Sequence, residues 1–148
     1  MASNVELIMK FPVVFRKKLL NNEINFPPNT EFEFEDFEAY RCVVRKKNDN
    51  SLVTQDDFKS NAEKQRTNIR GEDNQNLEFN PKYYGTSLYT NRQALINRLH
   101  LPKKKNKIAK GKIYQDGGPI LRDANTHVCW WLYENVDVGN FTIEDCEV

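Results

Sequence analysis

The run Thr126–Tyr133 (THVCWWLY) is the most apolar stretch of the chain, and it limits how the rest can fold. In a β-strand, successive side chains point to opposite faces. His127, Cys129, Trp131 and Tyr133 would then share one face, and Val128, Trp130 and Leu132 the other. Two neighbouring tryptophans on opposite faces cannot fill one core. One ring therefore belongs to a second core layer, a pocket or an interface, and buried packing is the leading expectation.

Other segments supply the partners of this strand. Phe37–Val44 is apolar on both faces apart from Glu38 and Arg41, as expected of a strand well inside a sheet. Glu31–Asp36 alternates acid with phenylalanine, the period of a half-buried strand or an extended edge. Tyr83–Tyr89 reads as a strand with Gly85 marking a close approach by a backbone or ligand. Ile108–Tyr114 and Ile120–Leu121 flank Asp116-Gly117-Gly118-Pro119, a turn sequence that predicts a β-hairpin. Val136, Val138, Phe141 and Ile143 read as further short strands.

Helical signals are fewer. Pro12 lacks an amide hydrogen, so it splits Val5–Leu20 and favours a helix starting beside it. Thr54 with Asp57 predicts a capped helix over Gln55–Gln65, and Thr90 with Gln93 another through Leu99, stopped by Pro102. Thr67 to Pro81 is polar and reads as a long surface loop. With 148 residues, the chain suits one domain over 1–148. The expected fold is α+β: a mixed, mainly antiparallel sheet with two to four short helices.

Charge gives little direction at the level of the whole chain. There are 22 basic and 21 acidic residues, a formal net charge of +1, so electrostatic partners must be sought in local runs. No apolar stretch approaches the ~20 residues that span a bilayer, and the opening residues do not resemble a leader. The three cysteines, Cys42, Cys129 and Cys146, are odd in number and widely spaced. A reducing, cytoplasmic setting without a metal site or membrane association is expected.

Three places could carry chemistry. Arg41 interrupts an apolar strand and must reach solvent, a carboxylate or an anion, with Glu38 and Glu134 as structural partners. Lys103, Lys104, Lys105, Lys107, Lys110 and Lys112 fall within ten residues. They could grip phosphates while Tyr114, Trp130 and Trp131 stack bases, or be neutralised by the acidic residues of 31–38. In the third place, His127 and Cys129 share a strand face, an arrangement used in thiol catalysis when a third residue orients the pair.

An early strand with Tyr40-Arg41, a middle Gly85-Thr86-Ser87 strand followed by a helix, and a late acid resembles ADP-ribosyltransferase-like domains, including RES-type toxins. The resemblance implies that Arg41 holds phosphate or ribose of NAD, that Ser87 helps position the acid, and that Glu134 stabilises positive charge on ribose as nicotinamide leaves. The Glu-x-Glu signature of that family is missing, since Tyr133-Glu134-Asn135 has one acid.

The sequence thus leads to two expectations. The first is a non-catalytic interaction module that contacts protein or nucleic acid through the lysine run, with Tyr89, Trp130 and Trp131 in the binding set. The alternative is an NAD-consuming enzyme using Arg41, Ser87 and Glu134. Small chains of this type are frequent among phage and toxin–antitoxin products, which sets a prior for either.

Overall fold

A computed structural model describes residues 4–66 and 76–146. Helices α1 (Asn4–Ile8) and α2 (Val13–Leu20) are separated at Phe11-Pro12, and Pro12 stands at the start of α2 with φ −54°. The missing amide of proline costs nothing there, because the first helical amides have no intrahelical partner. Phe15 and Leu19, four residues apart, form the buried side of α2.

The strands are β1 (Phe37–Val44), β2 (Thr86–Tyr89), β3 (Asn106–Ile113), β4 (Ile120–Arg122), β5 (His127–Trp130) and β6 (Thr142–Glu144). Helix α3 (Arg92–Leu99) connects β2 to β3. The strands form one six-stranded sheet in the order β4-β5-β2-β1-β3-β6, and every pairing is antiparallel. The α+β architecture read from the sequence is therefore the one observed, with no parallel pair among the described residues.

Both faces of the sheet are covered, as the paired tryptophans require. On one face Ala39, Val43, Leu88, Val128 and Trp130 pack with Phe58, Val136 and Phe141. On the other, Cys129 and Trp131 pack with Phe11, Phe15 and Tyr84 beneath α1 and α2. Further along that second face, Ile108, Tyr40 and Cys42 pack against Leu95 and Ile96 of α3. Both indoles are fully buried, Trp130 donating to Gly118 O at 3.2 Å and Trp131 to Pro81 O at 2.9 Å. Trp131 thus belongs to a second core layer. No helix of the described residues is long and apolar enough to cross a membrane.

Several local expectations need correction. The residues around Asp116–Pro119 do not form a hairpin: β3 pairs with β1 and β6, while β4 pairs with β5. The segment instead runs on beside residues 131–133 in the antiparallel register of β4 and β5, with Tyr133 N–H donating to Gly117 O at 2.8 Å and Trp131 N–H to Pro119 O at 3.0 Å. Gly118 has φ +129°, and a Cβ there would collide with the Trp131 carbonyl. The Thr54 capping box does form, but it opens only a 3-10 turn over Gln55–Phe58. Phe58 is drawn into the core and Lys59 is extended.

Helix α3 is capped by Asn91, whose side chain accepts from Ala94 N–H at 2.9 Å. Thr90 N–H instead bonds Thr126 O at 2.8 Å and prolongs the β2–β5 ladder. Pro81–Tyr84 is a 3-10 turn capped by Asn80, so β2 starts only at Thr86. Residues 31–36 make an isolated bridge, Glu31 to Ile120, in place of a strand. The expected 67–81 loop lies outside the described residues up to 75, and beyond them Leu77 is buried in a short 3-10 turn.

Candidate functional site

Strands β1 and β2 are in register only at Tyr40–Tyr89. Beside that point Arg41 bridges the two strands. Its Nε donates to Asp57 O at 2.7 Å and its Nη1 to Ser87 O at 2.8 Å, and its guanidinium lies over the Phe58 ring at 5.7 Å. Burial lowers its pKa to about 10, so it remains charged at neutral pH. Its partners are thus main-chain carbonyls, and neither Glu38 nor Glu134 supplies the expected ion pair.

Next to this bridge lies a cleft of about 930 Å³, lined by residues of β1, β2, α3 and the segments before β2 and β5. Ser87 and His127 are diagonal neighbours on one sheet face, because Ser87 opposes Cys129 and Tyr89 opposes His127. Ser87 Oγ lies 2.5 Å from His127 Nε2, and His127 Nδ1 lies 2.5 Å from Asp123 Oδ1. Asp123 Oδ2 receives Lys82 Nζ at 3.1 Å. The Tyr89 ring and the imidazole pack in a T-shaped pair, with centroids 5.1 Å apart.

The charges in this chain of contacts are consistent with one another. Burial would push the Asp123 carboxyl up, but hydrogen bonds from His127 and Lys82 outweigh it and hold the pKa below its ordinary value. In the neutral imidazole, an Nδ1–H donated to ionised Asp123 leaves Nε2 as the acceptor for the Ser87 hydroxyl proton. That is the tautomer needed for a histidine acting as base toward serine. Cys129 has no such role, because burial pushes its thiol far above the ordinary range and His127 is turned to Ser87.

The cleft is strongly cationic. Arg41, Lys64, Arg66, Lys82, Arg98 and Lys103 line it, whereas Asp123 is its only carboxylate among the described residues. Lys64 has its pKa lowered by burial and by the charges of Arg41 and Arg66. Among the described residues Lys64, Arg66, Arg98 and Lys103 make no ion pair. Of the acids of 31–38, Glu31 pairs with Arg122 at 3.0 Å, while Glu38 lies 3.8 Å from Lys110, one of the expected pairings between these acids and the lysine run.

The residues singled out in the sequence are therefore divided. Arg41, Ser87, Tyr89 and Lys103 line one cleft. Glu134 lies outside it: its N–H donates to Lys10 O at 2.7 Å, and its carboxylate is 3.9 Å from Arg16. Lys104 and Lys105 are exposed. Lys107 belongs to β3 and is buried, donating to Asp49 O at 3.2 Å, so it is no part of an open basic loop. Trp130 and Trp131 present no ring face to solvent for stacking. The pairing of His127 with Asp123 was missed, although the i,i+4 spacing was visible. Comparison of the chain with family models, curated proteins and solved structures gives no match.

Proposed function

We propose that the chain is an enzyme acting on a phosphate-bearing substrate, with a nicotinamide dinucleotide such as NAD as the first candidate. The observation that carries this reading is the joining of Arg41 to Ser87 at the wall of a cleft crowded with cations. Cations held together repel one another, and a bound phosphate relieves that repulsion. Tyr89, Leu95 and Leu99 add aromatic and apolar lining suited to a planar ring. In this reading Arg41 fixes β2 through the Ser87 carbonyl, and the Asp123–His127 pair, not Glu134, supplies the acid–base chemistry. The test is nicotinamide release from NAD together with calorimetric titration of NAD and ADP. The reading expects binding that weakens with salt and turnover that is lost in His127→Ala. Absence of both binding and release would overturn it.

A second reading, a non-catalytic module that binds protein or nucleic acid, is supported by the exposed Lys104 and Lys105 beside Lys103. It expects oligonucleotide binding that falls on charge reversal at Lys103–Lys105, with nothing changed by Ser87→Ala.

A further inference from the structure

Ser87 is exposed on β2, yet its hydroxyl is the end of a three-residue chain whose inner members are progressively buried. Side-chain exposure falls from 23% at His127 to 12% at Asp123. A surface serine that merely satisfies local backbone groups has no need of a buried carboxylate behind its histidine partner. Here the carboxylate is itself held from the far side by Lys82 at 3.1 Å, and the imidazole is held by its T-shaped contact with Tyr89. Every group that would orient a base toward the Ser87 hydroxyl is in place, and the reactive end opens into a cleft.

From this geometry we infer that Ser87 is a base-activated nucleophile that forms a covalent ester with its substrate, with His127 as general base and Asp123 as the residue that orients it. In the first step Ser87 Oγ bonds to the electrophilic centre and its proton passes to His127 Nε2. The leaving group departs with the electron pair of the broken bond and takes that proton from His127, which frees Nε2 again. In the second step water attacks the ester, His127 takes its proton and passes it to Ser87 Oγ, which leaves as the restored hydroxyl. Cations of the cleft, Lys64 and Arg66 among them, face the negative charge of such a substrate. The inference concerns an acyl or phosphoryl centre and does not depend on the substrate being a dinucleotide, since attack at the ribose carbon that bears nicotinamide would give an acetal in place of an ester.

The experiment uses the full chain and an alkyl fluorophosphonate, read by intact mass and peptide mapping. Ser87 Oγ replaces fluoride on phosphorus, fluoride leaves with the bonding pair, and the proton passes to His127. The expected result is one adduct, on Ser87, absent in Ser87→Ala. Labelling should be about 100-fold slower or more in His127→Gln, the usual scale for losing a general base. Asp123→Asn should also slow it, since an amide in that place favours the wrong tautomer. Thermal unfolding establishes that each variant is folded, and if one is not, the other decides. No adduct on Ser87, or labelling of both variants at the wild-type rate, would overturn the inference. Labelling without nicotinamide release would retain the nucleophile and discard the dinucleotide.

Discussion

The guanidinium of Arg45 and the carboxylate of Asp57 face each other through two bonds of 2.7 Å, with both side chains about nine-tenths buried. Asp57 also accepts Thr54 N–H at 2.9 Å, which closes the capping box. Its own carbonyl accepts Arg41 Nε. One residue thus ties the Gln55–Phe58 turn to β1 and holds the arginine that spans β1 and β2. Asp57→Ala leaves Arg45 buried with no carboxylate and only the carbonyls of Val44, Ser51 and Leu52 as acceptors, so urea unfolding should show a loss of about 3–5 kcal/mol.

The same pair sets an acid dependence. Burial would push the Asp57 carboxyl up, but the bonds from Arg45 and Thr54 prevail and lower its pKa from the ordinary 3.8. A carboxyl lowered on folding stabilises the fold fully above its unfolded pKa, and that contribution disappears as the pH falls through the folded value. Stability measured from pH 5 downward should therefore begin to fall near 3.8 and continue below it. Asp57→Asn, already destabilised, should show a shallower acid limb. Parallel limbs would assign the acid sensitivity to other carboxylates.

Trp130 and Trp131 adjoin in sequence but sit in different cores, each without exposed surface. Truncating either to alanine should cost about 3–5 kcal/mol. Single-tryptophan variants, made with phenylalanine at the other position, should both emit to the blue and resist quenching by iodide. Added oligonucleotide should leave both spectra unchanged. A quenchable indole would indicate a ring available for stacking.

Much of the sheet was legible because it is written in local patterns. The eight residues Phe37–Val44 are β1 as read, and alternation through 127–133 placed the two indoles on opposite faces. Gly117 and Gly118 misled because the same residues that permit a hairpin turn also permit close passage beside another chain segment. The choice depends on the Trp131 carbonyl, some thirteen residues away in sequence. The relay was hidden for a related reason. Ser87 meets His127 only because β2 and β5 pair in one register, and no spacing along a single chain encodes a register between strands forty residues apart. Arg41 was recognisable as unusual, but not its partners, which are carbonyls that carry no sequence signal.

Gly85 immediately precedes β2, and what approaches it is neither backbone nor ligand. A Cβ added there would overlap Cys129 Sγ and press on the Trp131 indole, 3.1 Å from Nε1. The Cys129 sulfur is buried and cannot swing into solvent. Gly85→Ala should therefore cost about 1–3 kcal/mol through overpacking. Removing the sulfur with Cys129→Ala makes room, so the double variant should be more stable than the sum of the single losses predicts, with coupling of about 0.5–3 kcal/mol for residues in contact. Ser87 is two residues along the same chain segment and hydrogen-bonded to His127, so displacement of β2 should also slow fluorophosphonate labelling in Gly85→Ala. The Cys129→Ala background should restore it. Recovery of stability without recovery of labelling would show that β2 returns to its packing but not to the register that aligns serine with its base.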